Sequence, residues 1–111
     1  MKMSAPTPNL AQRDHVRAIF AGSAGIREAP MFGCPAFFFG RRMVACIYGD
    51  EVGIKLPKDD VDAALTRAGV VPFRPYGKAM REWVALRRQG ADLDAVADLL
   101  VASLAHARTN A

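Results

Sequence analysis

The 111-residue chain is the length of one domain, with 51% hydrophobic and 23% charged residues, and so has the composition of a globular protein. No apolar run approaches the ~20 residues of a membrane-spanning helix, and Met1 to Pro8 has no apolar stretch that could serve as a signal peptide. The expected location is therefore cytoplasmic, and the net charge of +4 admits nucleic acid as a partner without requiring it.

Residues 1–8 read as a disordered tail, and residues 9–108 as one domain. Asn9 suits a helix N-cap, because its side-chain oxygen can accept from the free amides of the first turn. Val16, Ile19 and Phe20 then fall on one face, and the helix is expected to end within Gly22 to Gly25. Arg27 to Gly33 reads as a short lead-in punctuated by Pro30 and Gly33. Ala36 to Phe39 is a compact apolar and aromatic strand, and Gly40-Arg41-Arg42 a hairpin turn. Met43 to Tyr48 is a second strand, and Gly49-Asp50-Glu51 a second turn. Val52 to Leu56 alternates, with Val52, Ile54 and Leu56 on one face and Gly53 and Lys55 on the other. These three strands predict an antiparallel meander.

Pro57 closes the meander. Asp59, Asp60 and Asp62 suit the first turn of a helix, whose dipole favours negative charge there. Val61, Ala64, Leu65 and Ala68 keep helical spacing up to a stop at Gly69. Pro72 and Pro75 restrict any strand after Val70 to a short or edge position. Glu82 to Arg88 alternates as a further strand. Asp92 can cap a final helix striped by Leu93, Val96, Ala97, Leu100, Leu104 and Ala107. The expected fold is α+β, two-layer, in the order α-β-β-β-α-β-β-α, with an antiparallel sheet of about five strands.

Met31-Phe32-Gly33, the Gly40 to Met43 hairpin, Asp50 to Lys55, Ala68-Gly69, Pro72-Phe73, Trp83 and the C-terminal Ala/Leu helix occur in an order that resembles the N-terminal domain of the TfoX family. TfoX is a bacterial regulator of competence for DNA uptake. The resemblance covers roughly residues 13 to 107. It implies a two-layer, secretion-chaperone-like fold and little chemistry, since many stand-alone members have no assigned activity. Family members often carry a second glycine after Phe-Gly, where this chain has Cys34-Pro35. The chain ends at Ala111, short of the second domain of full-length TfoX regulators, so the competence role is not expected to transfer with the fold.

Candidate chemistry is sparse. Cys34 and Cys46 lack metal or C-x-x-C spacing and read as buried small hydrophobes. His15 and His106 lie on helices with no local signature of a thiol–base pair. Gly22 to Gly25 follows a helix rather than joining a strand to one, so it is no phosphate loop. No enzymatic activity, cofactor or metal is expected. Two surfaces stand out. Arg74, Lys78, Arg81, Arg87 and Arg88 stand against only Glu82 between residues 74 and 88, a basic segment that reads first as a solvated rim with Trp83 in the core, and otherwise as a nucleic-acid surface with Tyr76 and Trp83 available for base stacking. Phe37, Phe38 and Phe39 are consecutive, so one faces away from the helices unless both sheet faces are covered. With Met31 and Phe32 they form a candidate interface. Lys55 could point into a cleft, although a strand lysine more commonly lies on the solvent face. The expected role is a regulatory or protein-interaction module, with a homodimer its simplest form. The alternatives are a nucleic-acid accessory domain and a small-ligand binder or enzyme without a recognisable site.

Overall fold

The structure is a computed structural model that describes residues 5–110. Residues 1–4 of the expected tail lie outside the described residues, and residues 5–8 carry no helix or strand. The elements run α1 (Leu10–Phe20), β1 (Ile26–Met31), β2 (Cys34–Phe39), β3 (Arg42–Tyr48), β4 (Glu51–Lys55), α2 (Lys58–Leu65), β5 (Val70–Pro72), a single 3-10 turn (Pro75–Gly77), β6 (Trp83–Leu86), α3 (Ala91–Asp94) and α4 (Ala97–Thr109). The fold is α+β around one open antiparallel sheet in the order β1-β2-β3-β4-β6-β5. No helix among the described residues is long and apolar enough to cross a membrane.

The sheet has six strands rather than five. The extra strand, β1, occupies the segment expected to be a lead-in. Arg27, Glu28 and Pro30 interrupt its apolar pattern because it is an edge strand. Charge and proline are what protect an open edge from pairing with another chain. Arg17 on α1 grips Glu28 through two contacts of 2.6 and 2.8 Å. The Arg17 guanidinium holds the Glu28 carboxyl below its ordinary range. The other edge is β5, the position its proline requires. The final helix is also divided. Gly90, at a φ of 57°, precedes α3, and Ala95-Val96 separates it from α4. Asp92 sits in the first turn of α3 and is not its cap. The apolar stripe survives the break, since Leu93, Val96, Leu100, Leu104 and Ala107 are all buried.

Asn9 caps α1 as expected, its Oδ1 accepting from the Gln12 amide at 3.2 Å. Gln12 is itself buried and joins three parts of the chain. Its Nε2 donates to the carbonyls of Asp50 (3.1 Å) and Arg88 (2.8 Å), fixing α1 to the β3–β4 turn and the end of β6.

The core has two parts, one on each sheet face. The helical face packs Val16, Phe20, Phe37, Val44, Ile47, Val52, Ile54, Val84, Leu86 and Leu100. The opposite face gathers Ala36, Phe38, Cys46, Phe73, Trp83 and Ala85. Burial on both faces explains why all four residues of β6 are buried.

Candidate ligand pocket

Among the described residues, no α-helix contributes to the buried cluster on the second sheet face. Its cover is the irregular segment between β5 and β6, and the seat for that cover is Gly53. A Cβ there would lie 2.8 Å from Cζ and 2.9 Å from Cε2 of Phe73. Any side chain at residue 53 would therefore lift the Phe73 ring from the sheet. Phe73 is 3% exposed, and its ring meets Trp83 and Tyr48 at centroid separations of 5.8 and 5.7 Å. The Tyr76 amide donates to Tyr48 Oη at 3.0 Å, and the Met80 amide closes the segment onto the Phe73 carbonyl at 3.0 Å.

Between this segment and the β1–β3 surface lies a pocket of about 400 Å³. That volume lies in the range of small-molecule sites, ~300–1,000 Å³. Met31, Cys34, Met43, Cys46, Tyr48 and Phe73 form much of its wall, and Lys78 is its one charged lining residue. All five sulfur-bearing residues of the described chain line it. Thioether side chains are unbranched and polarizable, so such a wall adapts its shape to what it holds.

The rim is apolar and exposed. Phe32 is 82% exposed, and Tyr76 and Met80 are each 39% exposed. Phe32 and Gly33 form the two-residue β1–β2 turn between paired Met31 and Cys34, with φ values of 51° and 81°. A hairpin with positive φ at both central residues favours Asn-Gly. Phenylalanine at the first position combines a disfavoured backbone with an exposed ring. Tyr76 is a second rim residue at positive φ, 58°.

The thiols are not activated. Burial, with Cys34 nearby, pushes the Cys46 thiol up to about 12. Burial also raises the Cys34 thiol. Both therefore stay protonated at neutral pH, the inert form of cysteine. His15 and His106 are engaged elsewhere: His15 Nε2 is 2.8 Å from Asp94 Oδ1, and His106 lines a separate cavity. No group of three or more His, Cys, Asp or Glu among the described residues converges as a metal site.

The structure divides the interface candidates. Met31 and Phe32 line the pocket. Phe37 is buried on the helical face and Phe38 on the opposite face, beneath the Arg27 guanidinium at 4.6 Å. Phe39 is half-buried against the helical core. The condition left open by three consecutive phenylalanines is met: both faces are covered. The basic segment is divided too. Arg87 Nε contacts Glu51 at 2.6 Å, and Arg88 donates to the Ala68 carbonyl at 3.0 Å. Arg74, Lys78 and Arg81 lie on the covering segment, exposed and without an ion pair among the described residues.

Lys55 does point into a cleft. It lines a second cavity of about 300 Å³ with Arg41, Arg42, Met43, Trp83 and His106. This cavity lies where β3 begins, β4 ends and β6 begins.

The sequence signal for the first pocket was Met31-Phe32 followed by Cys34. Cys46, Phe73 and Met80 carried none, because only the pairing of distant strands brings them there. Comparison with protein-family models, curated proteins and solved structures found no match for this chain.

Proposed function

We propose that this chain is a non-catalytic regulatory domain that binds a small apolar ligand between its sheet and the segment 73–80. The observation that carries the reading is the pocket of about 400 Å³, sulfur- and aromatic-lined, rimmed by the exposed Phe32, Tyr76 and Met80. An exposed apolar rim beside a preformed cavity is a surface that an occupant would cover. The protonated thiols support binding rather than covalent chemistry. The resemblance to the TfoX N-terminal domain agrees with a regulatory role in the cytoplasm.

Titration with 1-decanol, a neutral apolar probe, tests this reading by amide NMR shifts. Saturable shifts at Met31, Met43, Cys46, Tyr48 and Phe73 are expected. The rim substitution Met80→Glu should weaken binding at least tenfold. Absence of saturable binding, or shifts away from these residues, overturns the proposal.

A further inference from the structure

The two cavities share one wall, Met43. On one side the lining is apolar. On the other stand Arg41, Arg42, Lys55 and His106, with no carboxylate among the lining residues. Seven other arginines of the chain have a partner, whereas Arg74 and Arg81 of the covering segment, like these, have no ion pair among the described residues. Arg13, Arg17, Arg67 and Arg87 each pair with an acid. Arg27, Arg88 and Arg108 donate to main-chain carbonyls. Arg41, Arg42 and Lys55 have neither kind of partner among the described residues. Three permanent like charges around one cavity repel each other unless an anion sits among them.

The polar groups nearby fit that occupant. Lys55 is paired across the β4–β6 ladder with Trp83, which is 8% exposed, so an apolar wall stands beside the cations. The side-chain amide nitrogen of Asn110 lies 3.1 Å from His106 Nδ1. That contact leaves Nε2 as the ring nitrogen not engaged by Asn110. Ser103 contributes no donor, because its hydroxyl is committed to the Val44 carbonyl at 2.9 Å.

The geometry points to an amphiphilic acid as the ligand: an apolar chain or ring in the sulfur-lined pocket, and one carboxylate or phosphate at the Arg41–Arg42–Lys55–His106 cluster, joined across Met43. This rests on the apolar-pocket reading above and names its ligand class. The charged residues lining both cavities are all cations, Lys78 included, so the surface is complementary to an acid and opposed to an amine. Arginine's planar fork matches a carboxylate or phosphate in two parallel hydrogen bonds.

The test compares decanoate, kept below its micellar concentration, with 1-decanol on the full chain. Trp83, the only tryptophan, reports at the junction by fluorescence, with amide NMR shifts as the second readout. Decanoate is expected to bind at least tenfold more tightly than decanol, and the preference to shrink with added salt. In the double variant R42Q/K55Q the preference disappears while decanol affinity is kept; both side chains are at least partly exposed, so the fold tolerates the change. Equal affinity for the two probes overturns the anion subsite and leaves the apolar pocket standing. So does a preference that survives R42Q/K55Q, or one that vanishes in Lys78→Gln instead. Binding of neither probe removes the pocket reading, and this inference with it.

Discussion

Phe73 rests its ring on the backbone of Gly53, at a spacing that leaves no room for a methyl group. That contact makes an irregular segment serve as the second layer over one sheet face. Gly53→Ala places a Cβ 2.8 Å from the ring and 3.1 Å from Cys46 Sγ. The expected cost is roughly 1–3 kcal/mol of overpacking, read as a lowered denaturant midpoint. Because the Phe73 ring lies against Gly53, removing the ring relieves the added Cβ, so Gly53→Ala and Phe73→Ala combined should cost less than the sum of the two alone. Additive costs would show that the contact carries no energy.

Phe32 tests the opposition between stability and binding. Its ring is 82% exposed, and its φ is 51°. Phe32→Asn puts a residue tolerant of that conformation into the turn and removes exposed apolar area. Stability should rise by about 0.5 kcal/mol while affinity for decanol falls several-fold. A variant that is both less stable and equally able to bind would remove Phe32 from the site.

Gln12 joins α1 to two other parts of the chain through a single side-chain amide. Gln12→Met keeps the length of the side chain and loses both donated hydrogen bonds. Two main-chain carbonyls in a part-buried setting then lose a donor, at about 1–3 kcal/mol in total. Urea unfolding of Gln12→Met should show that loss. Unchanged stability would mean that water satisfies both carbonyls.

Cys46 gives the chain an alkaline limit. Its folded-state value is raised from 9.0 to about 12. A group raised on folding binds its proton more tightly in the native state. Its contribution is complete below pH 9 and is lost as pH climbs through the folded value, because the unfolded thiol ionises first. Between those limits stability should fall with a slope of up to about 1.4 kcal/mol per pH unit. Urea unfolding from pH 8.5 upward should give a shallower decline for Cys46→Ala than for the parent chain. Parallel declines would show that the thiol is not coupled to folding.

Much of the fold was legible because local chemistry and tertiary structure agree over most of its length. Asn9 before an amphipathic run, the glycine-led turns at Gly40 and Gly49, and the Val52–Ile54–Leu56 alternation each have a local cause that the tertiary structure keeps. β1 was not legible, because an edge strand is built from charge and proline, the same residues that mark a loop. The break between α3 and α4 was hidden by an apolar stripe that runs through it.

Periodicity alone marks the helical face of this protein, because it reports which side of an element is apolar. Local sequence also places Met31 and Phe32 on a candidate binding surface. It takes the pairing of the strands to cover Phe38, to lay Phe73 on Gly53, and to enclose one cavity between Met31, Cys46 and Met80. The tertiary structure likewise brings Arg41, Arg42 and Lys55 to one end of the sheet beside His106 of α4. The reason is physical: a cavity is a relation between strands distant in sequence, and strand order and register, not local propensity, set which side chains share it.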